Sequence, residues 1–150
     1  MNTLKLEFKL DKEAFVDRKL IKQRNGKLLV DIQGEFGVYI NDKCFFKEPS
    51  LALLELGVAL TKWDRVRDFS YYTIEHDERE GPLLTFNNRG EQGWMLFSIW
   101  QLFESRDFLT IETITAEVET FLHELNEELL RTYGFDIDGF LNRKSGFFGI

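Results

Sequence analysis

A single cysteine, Cys44, rules out both an intrachain disulfide and a cysteine-built zinc site. Prolines are as scarce: only Pro49 and Pro82 occur, and no Ser/Pro/Gly-rich stretch marks a linker. The 150 residues therefore read as one domain, spanning 1–150, long enough to bury a substantial core. Long apolar runs are missing too. The longest, Leu51 to Leu60, is interrupted by Glu55 and is too short to cross a bilayer. The first ten residues alternate charged with apolar side chains and have the composition of neither a signal nor a transit peptide, so a cytoplasmic protein without membrane attachment is expected. No serine nucleophile elbow, glycine-rich phosphate loop or paired-histidine zinc motif is present, and no cofactor or metal is expected.

Base is what the C-terminal third has least of. Between Glu112 and Asp138 stand Glu112, Glu117, Glu119, Glu124, Glu127, Glu128, Asp136 and Asp138, against Arg131 alone. Those eight acids and one base account for the whole net charge of −7, the rest of the chain summing to zero. The first thirty residues lean the other way, with eight bases against four acids. So acidic a chain argues against nucleic acid as the partner, because phosphates call for a basic surface. An acidic C-terminal face suggests a basic protein partner instead.

Apolar periodicity places the elements. Leu4, Leu6, Phe8 and Leu10 alternate with charges, the pattern of a half-buried strand. Asn25-Gly26 reads as a tight hairpin turn into a long strand from Leu28 to Ile40, and Asn41-Asp42 as a second turn into Cys44-Phe45-Phe46. Pro49-Ser50 is expected to open an apolar, buried helix with Ser50 as its N-cap. Strands follow around Tyr72 to His76, over Leu83 to Phe86, and over Trp94 to Trp100, the last apolar on both faces and expected at the centre of the sheet. A final helix from about Thr113 to Arg131, capped by Thr113 or Thr115, buries Ile114, Val118, Phe121, Leu122, Leu125 and Leu129, and Gly134 stops it. The fold class is α+β: an antiparallel sheet of about six strands, one buried mid-chain helix and one amphipathic C-terminal helix.

Three constellations carry any chemistry the chain has. Glu117, Glu124 and Glu128 form a ridge on the last helix, with Glu127 beside it and Asp136 and Asp138 beyond. Acidic helix faces are common as solubility devices, and that is the first explanation; the missing i,i+4 lysines raise the second, a docking surface. The loop Glu75-His76-Asp77 is the alternative, because histidine among carboxylates suits a small hydrolase or a metal-dependent enzyme. A turn of solvated charges is the favoured explanation, because further ligands from a second element are missing. Among the aromatics, Tyr71 is expected to face outward, opposite Tyr72, as a contact residue. A homo-oligomer joined through aromatic strand faces is a third possibility.

The stretches Tyr71-Tyr72-x-x-Glu75, Gly81-Pro82-Leu83-Leu84-x-Phe86 and Gly93-Trp94-x-x-x-Ser98-x-Trp100 are similar to small acidic bacterial immunity-type proteins of polymorphic toxin systems. The resemblance covers about half of the chain. It implies an α+β domain that binds and blocks a cognate toxin, placing carboxylates where a nuclease toxin receives phosphates. It carries over no catalytic residue.

Overall fold

A computed structural model describes residues 1–73 and 80–142, and the Glu75-His76-Asp77 loop lies outside them. The architecture is α+β, with six strands among the described residues shared between two three-stranded antiparallel sheets. The first sheet is β1 (Leu4–Leu10), β2 (Gln33–Ile40) and β3 (Lys43–Ala52), in that order. Between β1 and β2 lie two short helices, α1 (Arg18–Gln23) and α2 (Leu28–Asp31). A buried helix, α3 (Leu53–Lys62), leads to the second sheet, β4 (Phe69–Tyr71), β5 (Leu84–Asn88) and β6 (Trp94–Phe97). The chain ends in a long helix, α4 (Ile111–Tyr133), and a short one, α5 (Ile137–Leu141).

Alternation sets the first sheet. Leu4, Leu6 and Leu10 are buried while Lys5, Glu7 and Lys9 are exposed, and Leu4 pairs with Ile40 through to Leu10 with Gly34. Gly34 is required there, since a Cβ would run into the Lys9 carbonyl oxygen. The β2–β3 hairpin turns on Asn41 and Asp42, at φ 50° and 67°, the left-handed values that such a turn demands.

Asn25-Gly26 does something else. The Asn25 side chain accepts the N–H of Lys27 at 2.9 Å and its carbonyl accepts the N–H of Leu28, which starts the helical turn of α2 in place of a hairpin. The strand accordingly begins at Gln33, not Leu28.

Pro49-Ser50 opens no helix either. Both residues sit in an irregularity of β3, where Gly34 pairs with Leu51 but Phe36 pairs with Glu48. A sheet-edge bulge tolerates the missing proline N–H. The Ser50 N–H is taken by the Glu48 carboxylate at 3.2 Å, and α3 starts three residues later, its Leu53 N–H donating to the Ile32 carbonyl at 3.0 Å.

Helix α4 lays a stripe of Ile114, Val118, Phe121, Leu125 and Leu129 on the first sheet and on α3, all fully buried. The Phe121 ring meets Phe8 and Phe36 edge to face, at centroid distances of 5.4 and 5.5 Å. The helix begins earlier than its threonines suggest. Thr110 is the N-cap, its hydroxyl accepting the Thr113 N–H at 3.1 Å. Gly134 ends it at φ 81°. Gly57 lets α3 approach closely, for a Cβ there would lie 2.8 Å from both Leu125 Cδ2 and Ile137 Cδ1.

The second sheet closes over a box of Trp63, Phe69, Phe86 and Trp94 with ring centroids 5.2–5.7 Å apart. Its last strand stops at Phe97 and lies at the sheet's edge, joined on its far side by a single bridge from Trp94 to Leu109. Phe97 is accordingly exposed, and the expected central strand running to Trp100 is not formed.

Tyr71 faces inward. Pairing of Phe69 with Phe86 and of Tyr71 with Leu84 turns both aromatics into the core, leaving Tyr71 only 2% exposed and Tyr72 the outward residue at 39%. The Tyr71 hydroxyl donates to Glu55 Oε1 at 2.8 Å. Burial, and then the adjacent Glu55 carboxylate, push its pKa far above the usual tyrosine range. The expected outward orientation is thus reversed, and the hydroxyl ties β4 to α3.

Candidate functional site

A concavity runs between the polar flank of α4 and the C-terminal end of β1. It is a groove of about 870 Å³. Phe8, Lys9, Leu10 and the following Asp11, Lys12 and Glu13 form one wall; Glu124, Glu127, Glu128 and Arg131 of α4 form the other; Glu35 and Pro49 of the sheet complete it. Six carboxylates thus face three cations.

The two walls meet because of a shared apolar seam. Phe8 of β1 packs against Phe121, so the turns of α4 after Phe121 carry their polar side past the strand's end. On a helix the positions i, i+3 and i+4 share a face, which places Glu124, Glu127 and Glu128 together beside the groove. Lys12 Nζ reaches across to Glu128 Oε1 at 2.9 Å, and Arg131 pairs with the same carboxylate. The hydrogen bond from Lys12, with the positive charges of Lys12 and Arg131, holds the Glu128 carboxyl below the usual carboxylate range.

The other acids differ in employment. Glu127 lies 3.4 Å from His123, and Glu35 lies 3.8 Å from Lys47. The Asp11 carboxylate accepts the N–H groups of Glu13 and Ala14, at 3.1 and 3.2 Å, which shapes the turn after β1. Glu124 is exposed and has no hydrogen bond or ion pair among the described residues.

The acidic positions marked in the sequence therefore separate. Glu124, Glu127 and Glu128 come together at the groove. Glu117 stands apart: its Oε2 accepts the outward N–H of Leu6, on the edge of β1, at 2.8 Å. That is a structural duty, a carboxylate closing a sheet edge. Asp136 caps α5 by accepting the Gly139 N–H at 2.8 Å, and Asp138 is an exposed residue in that helix's first turn. Neither of these two lines the groove. Tyr71 is buried elsewhere.

The β1 wall was not marked in the sequence. Its signal was present: Lys9, Asp11, Lys12 and Glu13 crowd the point where the alternating strand ends. What a linear reading lacks is the pairing of that point with a helix more than a hundred residues on.

Beyond the groove, a shallower cleft of about 430 Å³ is lined by Lys12, Arg18 and Lys22 with Tyr133. Lys12 belongs to both, so the acidic groove borders a basic patch. Phe15, two residues past Glu13, exposes 87% of its surface, and Leu130 on α4 exposes 50%. Cys44 is half-buried and free. Among the described residues no group of three His, Cys, Asp or Glu side chains is arranged to hold a metal ion, and no helix is long and apolar enough to cross a membrane.

The profile of a family described as a domain of unknown function, DUF7878, matches residues 6–131, and the chain belongs to that family. The matched span includes every residue that lines the acidic groove and leaves out α5. No curated protein matches the chain, and no solved structure does.

Proposed function

We propose that this member of the DUF7878 family is a non-catalytic cytoplasmic binding protein of the immunity type, which takes a basic protein partner, a toxin, into the groove beside α4. The observation that carries the reading is the groove itself, in which six carboxylates face three cations along a concave surface. A solvated helix face made acidic only for solubility has no reason to be matched by Asp11, Glu13 and Glu35 from another part of the fold. Complementary fields of this kind raise association rates and reject partners of the wrong sign. Phe15 and Leu130 supply exposed apolar surface near the charge, of the sort that slows release.

The test is charge reversal in the groove. Glu124→Lys together with Glu127→Lys changes six acids and three bases into four acids and five bases. Capture from the native host, washed at low and high salt, identifies the partner. Surface plasmon resonance then compares the reversed protein with the parent. The expected result is a fall in association rate of about tenfold or more at low salt, shrinking as salt rises. Equal rates and affinities for the two proteins would remove the groove from the function.

A further inference from the structure

The same groove contains an open sheet edge. Among the described residues β1 is the outer strand of the first sheet, and only one of its sides is paired. The Thr3 carbonyl and the Asp11 N–H both bond toward β2, so the odd-numbered residues between them point their backbone groups inward and the even-numbered ones point theirs outward. Of the outward groups, the Leu6 N–H is taken by Glu117. Those of Phe8 and Leu10 have no partner among the described residues, and both residues line the groove. The chain thus closes one half of its exposed edge with a carboxylate and leaves the other half open under the acidic flank of α4.

We propose that an extended basic segment of the partner joins this sheet as a fourth strand, pairing its backbone with Phe8 and Leu10 and directing alternate lysines or arginines at Glu124, Glu127 and Glu128. The inference rests on the basic-partner reading above and specifies how that partner is held. Side chains of an added strand alternate between the two sheet faces. Phe8 lies on the face covered by α4, as its contact with Phe121 shows, so every second side chain of the incoming strand meets the α4 carboxylates. The opposite face is mixed, with Lys9 beside Glu7 and Glu35, so the demand for bases falls on the α4 side, at every second position. Backbone pairing supplies affinity, and the alternating pockets supply specificity.

The experiment uses the full chain and two synthetic peptides. One alternates lysine and threonine over eight residues, capped at both ends. The other has the same sequence with backbone N-methyl groups on alternate residues, which keeps the charge and blocks strand pairing. Isothermal titration is expected to show the first binding at least about tenfold more tightly than the second. Hydrogen exchange is expected to slow at the Phe8 and Leu10 amides with the first peptide alone. The Lys9 amide, already bonded within the sheet, is the internal control. Equal binding of both peptides, abolished by Glu124→Lys with Glu127→Lys, would overturn strand addition and leave the acidic groove standing as a charge-only site. Binding by neither at about 1 mM would overturn both.

Discussion

Replacing Glu117 by alanine separates the structural part of the acidic ridge from the rest. The Glu117 carboxylate accepts the Leu6 N–H at 2.8 Å in a partly buried setting. A hydrogen bond to a charged group contributes about 1.5–3 kcal/mol, and its loss leaves a strand-edge donor without a partner. Alanine's higher helix propensity returns a few tenths of a kcal/mol, so the expected net loss is about 1–2.5 kcal/mol. For a chain of this size each kcal/mol moves the thermal midpoint by about 2–4 °C, giving a fall of about 2–10 °C. Glu117→Gln keeps an acceptor without the charge and is expected to lose about half as much. Glu124→Ala, two helical turns along and without a bond among the described residues, is expected to change stability by less than about 0.5 kcal/mol. Urea titration of the four proteins, followed by circular dichroism, decides the matter. Should Glu117→Ala and Glu124→Ala unfold at the same urea concentration, the carboxylate would not be holding the edge of β1.

Other substitutions test the packing and the electrostatics. Gly57→Val forces side-chain atoms into the 2.8 Å gaps to Leu125 and Ile137, and is expected to cost about 1–3 kcal/mol or prevent folding, read from soluble yield and urea midpoint. Tyr71→Phe removes the 2.8 Å hydroxyl donor to the buried Glu55, and a loss of about 1–3 kcal/mol is expected; a midpoint equal to the parent's would show that the pair adds nothing. The lowered pKa of Glu128 gives a signed pH dependence. A carboxylate held lower when folded than when unfolded contributes stability above the unfolded value, and loses it as pH falls through the folded one. Lys12→Met is therefore expected to be slightly less stable than the parent at neutral pH, with the difference shrinking as acid protonates Glu128, which urea midpoints followed downward from about pH 7 compare.

What could be read from the sequence was whatever had a local cause. Leu4 to Leu10 announces β1 because its alternation holds for seven residues, and the α4 stripe is plain because five buried positions keep the helical repeat. Gly134 and the Asn41-Asp42 turn are set by the left-handed backbone they adopt. Asn25-Gly26 misleads for a reason also local but ambiguous: the asparagine side chain caps a helical turn as readily as it forms a hairpin. Pro49-Ser50 resembles a helix start until the pairing with β2 is known, and that pairing is remote. Tyr71 and Tyr72 were exchanged because two adjacent aromatics at the end of a three-residue strand do not fix its phase; Phe69, two places earlier, does. Half of the site was visible as the run Glu124, Glu127, Glu128, and the other half was hidden by distance along the chain.

The concentration of acid on α4 carries a cost in self-repulsion, and the structure relieves it unevenly. Glu117 bonds a backbone donor and Glu128 takes two cations, so these positions are held by the fold itself. Among the described residues Glu124 is not relieved, and Glu127 has only a histidine 3.4 Å away, which is positive only when protonated. Fold stability alone would favour neutral residues at both places, since unpaired like charges on one helix face destabilise it. The partner proposed above would relieve Glu124 and Glu127, which stand beside the edge at Phe8 and Leu10. A basic strand seated there would relieve the repulsion and cover the edge in one step. Binding would then stabilise the seam between β1 and α4 beyond what either contact gives alone, because both walls of the groove would be held by the same ligand.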